Sequence, residues 1–535
     1  MKKIPPSPGK ETKGTHGQGN NSEEVFKDLD FYPYYPGIED VVQYILRNDS
    51  VKTIRERDTD REAMYLYDRP KYGLKRKLSN PKTAGIYVPG ESFLKSRSEN
   101  AFMFLLSEMS NKIDEWMEKA EDEKAIENLK ALQDRINRKM QHDGIKNGEI
   151  QEILQSIRRK TFVDAKEMNP PSFIPLKERL LNLRTFEQEE FNPAHFFIWK
   201  VQGTYDPEIK ELNQVPEFEK FLTDAYRPES IPTILDYMGY CLHPAFPRQK
   251  ILVILGPPRM GKGTLSGIIE RAIPEGYGRF SLMKLLIPEN KFSLQGVEGK
   301  NLLIDREIKR NLKKGADFDV INSLFGGDPL PLEKKFKAEV TYTSRAKGIL
   351  IGNLPVFFVD NMAFLSRLLI VLTKSERAGP EIPDLADRIW ISDGDRIVAL
   401  LLNRLKSLMS RNFNFSNEKT LDETAKLWDN LADSVSTFVE KETDFEQGQY
   451  IQVDDAYKYY LEYCEGESIP PEKEQQFKFR FGKHYQKKRK KENGSLFYVF
   501  EGCVMVIRPE TEKTKPESST QRHYNGDDDL DDILG

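Results

Sequence analysis

Residues 250–264 read "KILVILGPPRMGKGT" and run on into "LSGIIERAI". An apolar run, a glycine-bracketed loop and an amphipathic stretch in that order leave little freedom. The first is a buried strand, the last a helix, and the loop between them fits G-x-x-x-x-G-K. Gly256 and Gly261 let backbone N–H groups converge on phosphate oxygens, Lys262 reaches the terminal phosphates, and the helix starting near Gly263 turns its positive end toward them. Gly256, Pro257, Pro258, Arg259, Met260, Gly261, Lys262, Gly263 and Thr264 are therefore candidate nucleotide contacts. Gly263 stands where such loops carry Ser or Thr. The hydroxyl comes one residue later, at Thr264, so Mg²⁺ is expected on Thr264 or on a water in its place. The loop alone does not separate a small nucleotide kinase from a motor that moves along nucleic acid.

Downstream, "GKNLLIDREI" (299–308) is a second buried strand. Asp305 and Glu307, two apart on extended chain, are expected on one face, with Arg306 on the other. ATP hydrolysis needs one carboxylate for the Mg²⁺ shell and one to orient the attacking water. Asp305 is assigned the metal and Glu307 the water, and the sequence permits the reverse. "KGILIGN" is a further buried strand, ending at Asn353, where a polar group can meet the γ-phosphate or that water. Between the two lies "GGDPLPLEKKFKAEVTYTS", read as a turn, a strand and a returning strand. Lys335 and Lys337 share one face, beside Lys334. Such a hairpin grips a phosphate backbone or is merely solvated. Arg367, in "AFLSRLLIV", precedes another apolar strand. It is either an arginine finger for a neighbouring subunit's nucleotide or a surface ion pair.

At 535 residues the chain exceeds the roughly 250–300 at which single cores stop growing, so several domains are expected. Hydrophobic residues at 38% and charged residues at 31% fit a globular protein with a charged surface. No run approaches the ~18–20 apolar residues of a membrane span. The start, "MKKIPPSPGKETKGTHGQGNNSEE", has no apolar core of a secretory signal, and residues 1–24 read as a disordered arm. Cys241, Cys464 and Cys503 offer neither a disulfide framework nor zinc spacing, which points to a reducing cytoplasm. With a net charge of −4, any nucleic-acid contact must come from local patches.

The expected organisation is multidomain α+β. A small α+β region (25–100) includes "MYLYDRPKYG" and "AGIYVPGESF" as strand, turn, strand. A mainly helical module (101–245) opens on the amphipathic "AFMFLLSEMSNKIDEWMEKA" and holds a hairpin-like "FIPLKERLLNLRT". Strand–helix alternation from about 250 to 373 implies a parallel sheet, giving a central α/β domain at 246–411. Residues 420–508 form a small α/β tail domain ending in "GSLFYVFEGCVMVI", read as a hairpin. Before it, "FKFRFGKHYQKKRKK" (477–491) alternates Phe with basic residues and carries Lys483, Lys487, Lys488 and Arg489, a nucleic-acid contact or a solvated helix end. Residues 509–535 are expected to be a disordered acidic tail. Its tip, "DDDLDDILG", either docks on a partner or keeps the chain soluble.

Taken together, "GPPRMGKGT", "NLLIDREI", "LFGGDPLPLEKKFKAEV", "GILIGNLPVF" and "AFLSRLLIV" resemble superfamily 3 helicases. The likeness is to the C-terminal helicase part of phage, plasmid and large-DNA-virus primase–helicases of the poxvirus type. The resemblance extends over roughly residues 60–500, with "LADSVSTFVEKE" and the stretch after it similar to the family's winged-helix tail. It implies a P-loop ATPase of AAA+-like fold and a DNA helicase that uses ATP and Mg²⁺. It further implies a ring, a hexamer with nucleotide bound between subunits, and single-stranded and forked DNA as partners. Lys262, Asp305, Glu307, Asn353 and Arg367 take the roles above, and Lys334, Lys335 and Lys337 lie in the ring's channel. The chain departs from the family in the spaced D-R-E and in Ser366–Arg367, where paired basic residues are frequent. The upstream module begins by about residue 60, so no primer synthesis is expected; a separate primase or polymerase would supply it, with the acidic tail as a candidate dock. A small nucleotide kinase does not account for the 255 residues before the loop or for the lysine hairpin. An origin-binding initiator or loader with the same core stays as the alternative.

Overall fold

The computed structural model describes residues 34–506, except 56–61, 70–82, 288–296, 298, 309–315, 333–339, 355, 377–378, 468 and 493–494. Lys334, Lys335, Lys337, the arm 1–24 and the acidic tip thus lie outside the described residues. The chain is a mixed α/β protein with a parallel sheet and many helices, and it divides into two compact units near Thr204.

The first unit is built on four helices, Ile38–Asn48, Glu91–Lys119, Glu123–Arg138 and Asn147–Lys160. The 29-residue helix Glu91–Lys119 buries Leu94, Ala101, Leu105, Met109 and Ile113, steps of seven and four that keep one face inward. Helix Asn147–Lys160 answers with Ile150, Ile153, Leu154 and Ile157. A four-stranded sheet runs in the order Tyr87–Pro89, Glu62–Tyr67, Val51–Arg55, Phe162–Val163. The expected pairing of Glu62–Tyr67 with Tyr87–Pro89 is antiparallel. The expected hairpin is present as Phe173–Pro175 against Leu180–Asn182.

The second unit carries helices α1 (Pro216–Ala225), α2 (Ser230–Leu242), α3 (Lys262–Ala272) and α4 (Leu385–Ser410), and strands β1 (Ile251–Leu255), β2 (Tyr277–Arg279), β3 (Leu302–Ile308), β4 (Lys347–Gly352) and β5 (Leu368–Leu372). The strands form one sheet in the order β5-β1-β4-β3-β2, and every neighbouring pair is parallel. Every residue of β1 and β4 is buried, which is why β1 reads as an unbroken apolar run and β4 as one after Lys347. The unit boundary divides the helical module expected at 101–245. Its last two helices, α1 and α2, belong with the sheet because they pack on α4. Asp236 on α2, fully buried, accepts hydrogen bonds from Arg404 (2.6 Å), Arg411 (3.0 Å) and the Ser416 N–H (2.9 Å).

The same unit continues through α5 (Leu421–Ala432), α6 (Ser434–Glu442), β6 (Thr443–Gln452), α7 (Val453–Gly466), α8 (Glu474–Phe481), β7 (Lys487–Glu492) and β8 (Ser495–Met505). Thr420 and Glu423 close a capping box at the start of α5. The strand order is β6-β8-β7, antiparallel throughout. Phe477 stacks on Tyr460 at 4.6 Å and Phe481 meets Phe500 at 4.7 Å, joining helices to sheet. Two expectations are corrected here. Residues 495–505 are one central strand and not a hairpin, because β6 and β7 pair along its two edges. The basic run at 487–491 is not a helix end but the edge strand β7. An edge rich in lysine resists pairing with foreign strands, so a charged sequence is tolerated there.

Candidate functional site

The loop after β1 leaves the sheet where the strand order reverses, with β5 on one side and β4 on the other. Open α/β sheets bind ligands in the crevice at such a point, beyond the carboxyl ends of the strands. The backbone there requires glycine twice. A Cβ on Gly256 would lie 1.8 Å from Thr373 Oγ1, and Gly261 takes φ 77°, with a Cβ 2.8 Å from the Phe221 ring. Gly261 caps α3, which starts at Lys262. Arg259 also has a left-handed φ of 66°. Its guanidinium is 3.9 Å from Glu381.

A cavity of about 600 Å³ opens over this loop. Pro258 through Thr264 form its floor, and Asn353, the residue after β4, joins them. Phe221 and Ala225 of α1, Ile382 and Leu385 give the cavity apolar lining, with Glu217, Lys220, Asp224 and Glu381 also on its wall. The enclosure combines apolar side chains with the glycine-bracketed loop and the cationic side chains of Lys220, Arg259, Lys262 and Arg306. A flat aromatic base and a polyphosphate fit such a pair of surroundings.

Lys262 donates to the Gly256 carbonyl at 2.9 Å and to the Pro257 carbonyl at 2.5 Å. Burial, which disfavours the charged form, pulls its pKa down to about 8. Gly263 has open space where a side chain would be, and Thr264 lines the cavity.

The acidic strand differs from its reading. The pairing of β3 with β4 slips between Asp305 and Ile308, a bulge that sets Arg306 and Glu307 against one residue of β4. Strict alternation therefore ends at Asp305. Asp305 is 5% exposed, and its carboxylate accepts the Leu282 N–H at 2.7 Å and the Glu307 N–H at 3.0 Å. Burial raises its pKa, with the two N–H groups acting against that. Glu307 is exposed. Neither carboxylate lines the cavity, whereas Arg306, expected to face away, does. Arg306 pairs with Glu270 of α3 (3.0 Å from Nε, 2.5 Å from Nη2). Neither Arg306 nor Glu270 was singled out in the sequence. The only signal was the middle residue of D-R-E, which alternation assigns to the face opposite Asp305.

Arg367 lies at the other end of the sheet. It immediately precedes β5, whose first residue pairs with the first residue of β1, while the loop follows the last. Its guanidinium donates to the Ala363 carbonyl and approaches Gln249 Oε1 at 3.4 Å. The structure thus brings Lys262, Thr264 and Asn353 together, and leaves Arg367 apart.

In the tail, Lys487 and Arg489 flank the half-exposed Tyr498 ring, at 4.7 and 5.3 Å from its centroid, and Arg489 Nη2 donates to the Tyr498 hydroxyl at 2.8 Å. Lys488 pairs with Glu501, and Lys483 lies 5.0 Å from the centre of the exposed Phe479 ring. This is a basic and aromatic surface of the kind that takes nucleic acid.

Residues 254–364 match a family of unknown function, DUF5906, and residues 431–505 match a family described as poxvirus D5 protein-like. The second match spans the tail from the end of α5 to the last residue of β8. No curated protein matches. Among solved structures, the apo structure of the NrS-1 C-terminal region aligns at 11% identity, covering 86% of this chain and 98% of that one, with a TM-score of 0.36. The A form of the same region aligns at 12% identity over 67% and 92%, with a TM-score of 0.31. Among the described residues, no helix is long and apolar enough to cross a membrane.

Proposed function

We propose that the chain is an ATP-dependent DNA helicase of superfamily 3 that serves replication of a viral, phage or plasmid genome and moves on single-stranded DNA as a ring of six copies. The observation that carries this reading is the cavity over Pro258–Thr264, with Lys262, Thr264 and Asn353 on its wall at the carboxyl ends of β1 and β4. Residues 246–411 are read as an AAA+-like ATPase domain, supported by the five parallel strands and the loop at their switch point. Residues 420–508 are read as a winged-helix-like DNA-binding domain, supported by the D5-like match and the basic surface of β7.

ATP fits the cavity: the apolar slot takes the base, the loop N–H groups the phosphates, and Lys262 the terminal oxygens. Mg²⁺ is assigned to Thr264 and, more remotely, Asp305. When bound, it draws charge from the phosphate oxygens. Asn353 orients the terminal phosphate or the attacking water. Glu307, exposed at the end of β3 and outside the cavity lining, is the carboxylate assigned to that water. Asp305, fixed by two backbone N–H groups, holds the end of β3 in place. Arg367 serves a neighbouring copy's site.

Strand displacement on a forked DNA duplex, wild type against Lys262→Ala, tests this. Unwinding that needs ATP and is lost in the variant is the expected result. DNA-stimulated hydrolysis without unwinding on any fork would replace the helicase with an initiator or loader. No nucleotide binding at all would overturn the reading.

A further inference from the structure

The middle residue of D-R-E lines the phosphate-loop cavity, and its guanidinium is held by a carboxylate two helical turns beyond that loop. Arg306 sits on the bulge of β3, partly exposed, and lines the same cavity as Lys262, Thr264 and Asn353. Its Nε and Nη2 both reach one oxygen of Glu270. Glu270 lies eight residues after Lys262 on α3, about 12 Å further along the helix axis. The guanidinium is therefore drawn away from the phosphate end of the cavity, on a side chain with enough rotors to return there.

We propose that Arg306 is the residue by which a subunit senses the terminal phosphate of its own nucleotide, and that Glu270 parks it when that phosphate is missing. This rests on the nucleotide reading given above. Two observations carry it. The first is the position of Arg306 on the cavity wall. The second concerns what departure would cost. Glu270 is only 9% exposed, so removing every cation beside it would leave a buried charge unpaired. Glu270 has a second partner, Arg279 of β2, at 3.5 Å. Arg306 can leave while Arg279 keeps Glu270 neutralised. A terminal phosphate, with close to two negative charges and three acceptor oxygens, competes well against one shared carboxylate. A diphosphate ends one group short and leaves Arg306 on Glu270. The residue thereby reports triphosphate against diphosphate within one chain, a role separate from that of Arg367.

The test is affinity for a non-hydrolysable ATP analogue and for ADP, measured on the full chain by displacement of a fluorescent nucleotide. Arg306→Ala is expected to weaken the analogue about tenfold and leave ADP within twofold, with Arg306→Lys between the two. Glu270→Gln is expected to strengthen the analogue severalfold at unchanged ADP affinity. A damaged fold would not produce that gain, which keeps the proposal testable if the alanine variant is unstable. An Arg306→Ala protein that keeps the wild-type ratio, or loses both ligands equally, overturns the inference while Lys262-dependent binding stands. Wild-type binding that Lys262→Ala leaves untouched overturns the nucleotide reading itself.

Discussion

At the scale of single residues, the buried lysine of the loop makes a pH-dependent claim. Burial holds Lys262 at about 8, so in the ligand-free protein its proton leaves as pH rises through that value. Phosphate oxygens favour the charged form and raise the pKa in the complex. Below pH 8 the lysine is already protonated and affinity is flat. Above it, binding must take up a proton, and affinity is expected to fall by up to about tenfold per pH unit. Nucleotide titrations from pH 7 to 9.5, with binding heats in two buffers, check this; a flat profile without proton uptake would count against Lys262 as the phosphate contact. Asp236 makes a claim on stability. Its buried carboxylate faces Arg404 and Arg411, so Asp236→Ala leaves two guanidinium groups without their shared partner. A loss of about 3–5 kcal/mol is expected in denaturant unfolding. A loss below about 1 kcal/mol would mean that solvent already serves both arginines.

At the scale of elements, β7 is the part whose chemistry changed most between sequence and structure. Lys487 and Arg489 stand on the same face, both against the Tyr498 ring. Replacing both by Glu is expected to weaken DNA binding across sequences and to lower the slope of log affinity against log salt by about 2, one for each phosphate that the strand no longer neutralises. Fluorescence anisotropy against NaCl reads this directly, and an unchanged slope would remove β7 from the interface. The strand itself was hard to read because lysine runs carry no strand period; pairing with β8 makes it a strand, and pairing is a tertiary fact. The same holds for β3. Its apolar half was legible, and so was the presence of carboxylates at its end. The bulge that gives Asp305 and Glu307 different surroundings depends on the register with β4, which no local pattern encodes. By contrast, the strand–loop–helix around Lys262 was legible throughout, since an apolar run, the G-x-x-x-x-G-K spacing and an amphipathic stretch follow one another within 24 residues. Helix Glu91–Lys119 was legible from spacing from residue 101 on, for burial on one face repeats at the helical period, whereas Ile38–Asn48 falls in a stretch read as short strands and turns.

At the scale of the whole molecule, the proposed nucleotide role of Arg367 requires more than one copy. Five strand residues at about 3.3 Å each separate the level of Arg367 from that of the loop, or about 17 Å along the sheet. An arginine side chain does not span that gap, so Arg367 can serve a nucleotide only from a neighbour. A head-to-tail contact that closes on itself gives a ring in which each site takes its loop from one copy and its arginine from the next. This arrangement is testable by mixing. Arg367→Ala keeps an intact loop but supplies no arginine; Lys262→Ala has a broken loop but supplies one. Each alone is expected to hydrolyse ATP poorly. In an equal mixture with free exchange, an intact loop meets an intact arginine with a chance of one half times one half, so about a quarter of the sites should regain activity. Hydrolysis by the mixture should therefore rise well above that of either variant, and dilution that dissociates the ring should abolish the gain. Were Arg367 to act within its own chain, or only to stabilise the fold, no site in any mixture would hold both groups, and activity would stay at the average of the two variants at every concentration.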